Sequence, residues 1–96
     1  MEKYKLTNTA EREIEEIYEY SILNFGLSTA RDYVSGLHKR FEVLSDHQSW
    51  GSDYSHIKAE LHRFEYRSHS IYYQPLKDGI LIVRVLGKKQ DPVRHL

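Results

Sequence analysis

The sequence predicts an α+β domain of two layers, in which an N-terminal strand and a helical hairpin pack on one face of a mainly antiparallel sheet. In the first half of the chain, apolar residues recur at helical spacing over two long stretches. In the second half, three β-rich segments follow an irregular loop at residues 47–58. The length of 96 residues, without linkers or repeats, indicates a single domain over residues 1–96 with the order β-α-α-β-β-β.

Three strands are predicted in the second half, at Leu61–Arg67, His69–Leu76 and Ile80–Leu86. The last two are joined through Lys77-Asp78-Gly79, and Asp-Gly between β-rich runs is a strong hairpin signal because glycine accepts a positive φ. The final strand is apolar on both alternating faces, which is typical of a central strand covered on both sides. Near the start of the chain, polar–apolar alternation predicts a short strand at Lys3–Thr7.

Strand alternation also assigns side chains to the two faces of the sheet. Leu81 and Val83 point the same way along the final strand, while Phe64 marks one face of the first strand of the group. If the helices cover the face of Phe64, Leu81 and Val83, then Arg63 and Arg84 lie together on the open face. This pair is the one basic constellation that the pattern predicts.

The first half predicts two helices, one over Thr9–Phe25 and one that ends near Asp46 or His47. Asn8 and Ser28 are expected as their N-caps, because short polar side chains accept hydrogen bonds from the first free amides of a helix. Only about three residues separate the helices, so they fold back as an antiparallel hairpin. The inward stripes are expected at Ala10, Ile14, Ile17, Tyr18 and Ser21 in the first helix and at Ala30, Tyr33, Val34, Leu37, Phe41 and Leu44 in the second.

Composition and charge narrow the class of protein. Hydrophobic residues make up 40% and charged residues 29% of the chain, as in ordinary soluble domains. No run approaches the roughly 20 apolar residues of a membrane span. The lack of cysteine makes a reducing cytoplasm the expected location. Because 14 basic residues balance 14 acidic ones, a protein partner is favoured over direct nucleic-acid binding.

The sequence predicts neither a metal site nor a cofactor. His56, His62 and His69 are separated by five and six residues, which is not the paired spacing of a zinc site, and there is no cysteine. His62 and His69 also fall on different predicted strands, so nothing in the spacing brings them together.

Several segments give the chain a resemblance to the RelE/ParE superfamily of bacterial toxins, and more closely to its ParE branch. The specific parts are the sheet segment and the Asp-Pro-x-Arg-His-Leu ending. The segments that carry the resemblance are Ala10–Asn24 with the following Phe25-Gly26, Ala30–Tyr33, Arg63–Tyr73, Ile82–Leu86 and Asp91–Leu96.

The resemblance implies the toxin of a type II toxin–antitoxin pair, neutralised by a ParD-like antitoxin with which it forms a hetero-oligomer. ParE-type toxins are associated with poisoning DNA gyrase by binding it, whereas RelE-type relatives cut messenger RNA in the ribosomal A site. The ParE branch therefore implies a protein-binding toxin with no catalytic residues and no cofactor.

One segment is more similar to the RelE branch. Where ParE-like chains commonly carry a Leu-His-x-x-Met-Asp turn, this chain has Leu86-Gly87-Lys88-Lys89-Gln90-Asp91, and His95 follows where RelE-type chains often place a catalytic tyrosine. The alternative function is therefore a ribosome-dependent endoribonuclease. RNA cleavage needs an acid, a base and cations for the developing phosphorane charge. The candidates are His95 as acid, Arg63, Arg84 and Lys88 as cations, and Glu65 or His62 as base.

Two partner surfaces complete the expected site. The target contacts are expected among the sheet arginines and, through the resemblance, the last residues of the chain: Arg63, Arg84, Arg94, His95 and Leu96. The antitoxin contacts are expected among aromatic and apolar side chains that flank the helix stripes: Tyr18, Tyr20, Ile22 and Tyr33. If the first strand is a sheet edge, it offers a second docking mode by strand addition.

Overall fold

The computed structural model describes residues 3–96 and confirms the predicted fold class. The long helices and the three long strands begin and end within two residues of their predicted limits. Within residues 3–96, no helix combines the length and apolar character that crossing a membrane requires. The elements are β1 (Tyr4–Leu6), α1 (Asn8–Phe25), α2 (Leu27–Asp46), a 3-10 helix (Gln48–Trp50), β2 (Ser52–Asp53), β3 (His62–Tyr66), β4 (His69–Leu76), β5 (Gly79–Gly87) and α3 (Pro92–His95).

The five strands form one sheet in the order β1-β5-β4-β3-β2. β1 runs parallel to β5, and the remaining neighbours are antiparallel. β1 lies at one edge of the sheet, the position that strand addition requires. β2 lies inside the stretch predicted as a loop, where Ser52 pairs with Arg63 and Asp53 with His62. Two residues are too few to show an alternating pattern, which is why the sequence did not reveal this strand.

The helix caps differ from the predicted ones. Thr7, not Asn8, caps α1, and its Oγ1 accepts a hydrogen bond from the Ala10 amide at 3.0 Å. Its hydroxyl also donates to the Val83 carbonyl at 2.8 Å, so the same side chain ties the helix to β5. Ser28 is not a cap, because α2 already begins at Leu27.

A single residue, Gly26, separates α1 from α2, where about three were predicted. The Gly26 amide donates to the Ile22 carbonyl at 3.0 Å and its carbonyl accepts from the Ala30 amide at 3.1 Å. Gly26 therefore ends one helix and starts the next. Its φ of +92° lies in the region that favours glycine.

The main core lies between the helices and the sheet, as predicted. The fully buried Leu37, Phe41 and Leu44 of α2 form its centre. Its other buried members are Ala10, Ile14, Ile17, Tyr66, Ile71, Tyr73, Ile80, Ile82 and Val85.

A second apolar cluster covers the opposite face of the sheet. Its buried members are Leu61, Tyr72, Val83 and Leu86. Side chains from the loop after β2, from β5 and from the end of the chain pack against it: Tyr54, Ile57, Leu81 and Leu96. β5 is therefore covered on both faces, which confirms what its doubly apolar pattern predicted.

The pairing of β4 with β5 contains a β-bulge. Tyr72 pairs with Arg84 and Tyr73 with Ile82, so Val83 is an extra residue in β5. An inserted residue shifts the alternation of the side chains that follow it. Val85 consequently faces the helices although Val83 does not.

The prediction of which β5 side chains face the helices was wrong. Leu81 and Val83 lie in the second cluster, and the helices cover Ile80 and Ile82 instead. Alternation could not decide the matter because both faces of the strand are apolar.

Arg63 and Arg84 do begin on the same face of the sheet, as predicted. Each pairs in register with Tyr72, Arg63 from β3 and Arg84 from β5. Tyr72 belongs to the second cluster, so both arginines start from the face that the helices leave open. Their side chains then take separate partners.

Candidate functional site

Arg84 forms an ion pair that the sequence did not predict, with Glu13 of α1. Its Nε and Nη2 donate to Glu13 Oε2 at 2.9 and 2.6 Å, and the two side chains are only 20% and 15% exposed. The hydrogen bonds that Arg84 donates to Glu13 raise the pKa of the Arg84 guanidinium, which stays charged at any ordinary pH.

Glu13 also completes the edge of β5. Its Oε1 accepts a hydrogen bond from the Val85 amide at 2.9 Å, beyond the point where β1 ends at Leu6. The side chain thus takes the place of a neighbouring strand. The sequence marks each partner only singly, since Glu13 borders the apolar stripe of α1 and Arg84 interrupts an apolar strand, and no pattern in it pairs the two.

The last residues of the chain are held against β5. Asp91 caps α3 by accepting from the Val93 amide at 2.9 Å, and the Leu96 amide donates to the Pro92 carbonyl at 2.9 Å. Arg84 Nη1 donates to the backbone carbonyl of His95. The side chain of Leu96 packs against the second cluster.

The backbone of residues 94–96 is therefore anchored from two directions, by a cation and by an apolar side chain. The side chains of Arg94 and His95 remain exposed. A helix of four residues is too short to show a period, so α3 was not predicted from the sequence.

The residues proposed for RNA cleavage fall into separate groups. Glu65 lies between two cations, with Oε1 3.2 Å from Arg63 Nη2 and Oε2 3.4 Å from Lys88 Nζ. Arg63 also donates to Ser70 Oγ at 3.1 Å and to Tyr54 Oη at 2.7 Å. Arg84 belongs instead to the Glu13 pair.

His62 is directed away from these arginines. It pairs with Tyr73, a member of the main core, and its ring stacks on that of Tyr73 at 5.3 Å. Its Nδ1 lies 3.1 Å from the Glu60 carbonyl. The structure thus does not bring His62 together with Arg63 or with Glu65 as a catalytic set.

The segment that departs from the ParE pattern forms a tight turn. The Gln90 amide donates to the Gly87 carbonyl at 3.0 Å, and Gln90 Oε1 accepts from the Gly87 amide at 2.7 Å. The Lys88 amide donates to the Ser68 carbonyl at 3.0 Å, which joins this turn to the one between β3 and β4. Lys88 and Lys89 are exposed.

Four large apolar side chains are exposed along the last turns of α1 and at the start of α2. We call this set the apolar tip; it consists of Tyr20, Leu23, Phe25 and Leu27, which are 63%, 85%, 64% and 45% exposed. Tyr18 and Ile22 are half-buried nearby on α1. Tyr20 also lines a groove of about 520 Å³ between α1 and the end of β5, together with Glu13 and Arg84. Phe25 and Leu27 were not predicted as contacts, because Phe25 was the predicted end of the first helix and Leu27 lay in the predicted connection.

Tyr33 is used inside the fold. Its hydroxyl lies 2.6 Å from His69 Nδ1 and accepts from the Ser68 amide at 3.3 Å. Its ring packs edge-on against Tyr66 at 5.4 Å. Burial raises the pKa of the Tyr33 hydroxyl and lowers the pKa of His69. Tyr33, one of the four predicted antitoxin contacts, thus has a polar group that already has partners in the chain.

The burial of His69 predicts a pH-dependent stability. Because its pKa lies below the ordinary value of 6.5, the unfolded chain binds this proton more readily than the folded chain. Stability should therefore decline as the pH falls below that ordinary value and level off below the folded-state pKa. In urea titrations across this range, the His69→Gln variant should show a shallower decline than the natural chain. Equal slopes would contradict the role of His69.

No metal centre is formed by the described residues, 3–96, since they contain no group of three or more histidine, cysteine or acidic side chains placed to hold an ion. The three histidines considered from the sequence lie apart. His56 packs near Tyr54, His62 stacks on Tyr73, and His69 faces Tyr33.

Comparison with known proteins places the chain in a family. Residues 4–92 match the family described as the ParE toxin of the type II toxin–antitoxin system parDE. The chain belongs to the ParE toxin family. The matched span ends at Pro92, so it includes Glu13, Arg84 and the Gly87–Gln90 turn but leaves out Arg94–Leu96.

Relatives of the ParE family match the chain over nearly its whole length. It is 27% identical over 96 residues to Toxin ParE1 of Caulobacter vibrioides, covering 100% of this chain and 99% of that protein. It is 24% identical over 95 residues to Toxin ParE1 of Mycobacterium tuberculosis, covering 98% and 97%. The fold is also similar to a solved structure titled as a chromosomal ParDE TA system from P. aeruginosa, with a TM-score of 0.74, 17% identity and coverage of 91% and 96%.

Proposed function

We propose that this ParE-family toxin arrests growth in the cytoplasm by binding and poisoning DNA gyrase. The observation that carries the proposal is the anchoring of residues 94–96 on β5 by Arg84 and by the second cluster. A backbone that is already fixed loses little conformational entropy when the residues that it carries bind a protein, and arginine is enriched among interface residues that carry affinity. Arg94 and His95 are the proposed centre of the target contact.

The ion pairs made by Arg63, Arg84 and Lys88 favour protein binding over RNA cleavage as the function. Arg63 and Lys88 are matched by Glu65, and Arg84 is matched by Glu13. A nuclease site directs cations at the position where phosphorane charge develops. Here three of the proposed cations already have carboxylate partners within the chain, which argues against a nuclease site. Arg63 and Arg84 are instead proposed to contact the target at the border of the Arg94–Leu96 segment.

A ParD-like antitoxin is proposed to neutralise the toxin in a hetero-oligomer. The side chains of the apolar tip, together with Tyr18 and Ile22, leave aromatic and apolar area exposed along α1 and at its end, and these side chains are proposed to contact the apolar face of an amphipathic segment of the antitoxin. Strand addition at the exposed edge of β1 is a second proposed contact.

A supercoiling assay tests the function directly. The purified chain should inhibit gyrase or trap its cleavage complex with DNA, and the cognate antitoxin should reverse the effect. Tyr20→Ala should leave inhibition intact but require about tenfold more antitoxin for reversal, as expected for loss of one aromatic interface residue. If a large excess of folded protein has no effect on gyrase, the proposal is wrong, and cleavage of messenger RNA on translating ribosomes becomes the function to assay.

A further inference from the structure

Glu13 joins three separated parts of the chain. It sits on α1, accepts from the Val85 amide of β5, and binds the guanidinium of Arg84, which in turn donates to the His95 carbonyl. We propose that Glu13 is the positioning residue for the segment Arg94–Leu96, acting through Arg84. The importance of this positioning for toxicity rests on the proposed function, in which the segment Arg94–Leu96 contacts the target.

The N–H donors of Arg84 explain why a carboxylate is needed to orient its side chain. A guanidinium has five N–H donors in a rigid fork. Nε and Nη2 point at Glu13 Oε2, and that fixes the plane in which Nη1 points at the His95 carbonyl. The pair is largely shielded from solvent, at 15% and 20% exposure, so dissolved salt screens it weakly.

The orientation of Arg84 is not determined by β5 alone. Its backbone pairs with Tyr72 beside the bulge at Val83, where the alternation of β5 side chains between the two faces of the sheet is shifted by one residue. An arginine with four rotatable side-chain bonds starting from such a site has many orientations toward solvent. Glu13, held in place by its second oxygen on the Val85 amide, selects the one that reaches residues 94–96.

The apolar anchor at Leu96 does not replace this link. Leu96 is half-buried against the second cluster, which fixes one end of the segment. The His95 carbonyl lies between that anchor and the exposed Arg94 side chain. Loss of the Arg84 bond should therefore loosen the segment without detaching it.

Glu13→Gln separates the positioning role from general stability. Glutamine keeps an oxygen that accepts from the Val85 amide but has no charge for Arg84. Amide hydrogen exchange of the Leu96 amide should become at least about fivefold faster, as for loss of one charged hydrogen bond, whereas exchange at Val85 and in β4 should stay within about twofold. Glu15→Gln, an exposed position on the same helix, is the matched control and should change none of these rates.

The outcomes separate this inference from the proposed function. Unchanged exchange at Leu96 in Glu13→Gln would overturn the positioning role, whatever the toxin does to gyrase. Faster exchange at Leu96 with full gyrase inhibition would support the positioning role and contradict the use of this segment as the target contact. If Glu13→Gln does not fold, Arg84→Lys tests the link through which Glu13 is proposed to act, because lysine keeps the charge opposite Glu13 but lacks the fork that reaches His95. Unchanged exchange at Leu96 in this variant would also overturn the positioning role.

Discussion

Alanine in place of both Arg94 and His95 should reduce gyrase inhibition by at least tenfold while leaving folding and antitoxin binding unchanged. Both side chains are exposed, and the bonds that hold their backbone use the His95 carbonyl and the Leu96 side chain, which this variant keeps. Truncating an arginine at the centre of an interface commonly costs about 2 kcal/mol, or roughly thirtyfold in affinity. Deleting the segment is a less specific test, because it also removes Leu96 from the second cluster.

The measurement is the concentration of toxin that halves supercoiling, compared with the dissociation constant for the antitoxin. Arg31→Ala is a matched control, since Arg31 is an exposed arginine on α2. The control should inhibit gyrase like the natural chain. Full inhibition by the double variant would move the target contact away from this segment, and loss of antitoxin binding would place the segment in the neutralising interface instead.

Alanine in place of Gly79 should destabilise the domain by about 3 kcal/mol or more, which is a large fraction of the stability of a small domain. A Cβ at this position would lie 1.8 Å from the Lys3 carbonyl oxygen and 2.8 Å from its carbon. Both atoms are backbone, and the Ile80 amide donates to the same oxygen at 3.2 Å. Relief of the clash requires β1 to move off β5, and the φ of +155° adds strain for any other residue.

Thermal and urea unfolding followed by circular dichroism measure this effect. A loss of this size corresponds to a fall of about 12 °C or more in the midpoint temperature. Gly87→Ala is the matched control at the other end of β5, because its Cβ would meet only the flexible Gln90 side chain, at 3.4 Å. A Gly79→Ala chain as stable as the Gly87→Ala chain would show that β1 can be displaced at little cost.

The periodicity of the sequence was sufficient for the layers of this fold. Helical spacing from Ala10 to Ser21 placed the inward face of α1, and the doubly apolar run from Ile80 to Leu86 placed β5 inside the sheet with cover on both faces. These signals are strong because each arises from many residues that are buried together.

The features that periodicity missed each involve four residues or fewer. The bulge at Val83, the single-residue connection at Gly26, the two-residue strand β2 and the four-residue helix α3 are all shorter than a pattern needs to repeat. The same limit explains why α1 was expected to begin with Asn8 as its cap when Thr7 holds that position.

The sequence predicted which residues belong to the candidate site better than it predicted which residues they contact. The sequence placed Arg63 and Arg84 on one face, because strand alternation determines where side chains start. It did not reveal that Arg84 turns to Glu13, 71 positions away in the chain, because an ion pair across such a separation leaves no local pattern. The long-range pair nevertheless decides how residues 94–96 are held.

The outer edge of β5 has a consequence for how copies of this chain meet one another. Past the end of β1, the Val85 amide is occupied by Glu13 and the Gly87 amide by Gln90. An edge with free amides is a template on which another chain extends the sheet, and long apolar strands such as β5 make that extension a route to aggregates. Two side chains close this template, one of them charged. A second molecule cannot pair along this edge until both have moved.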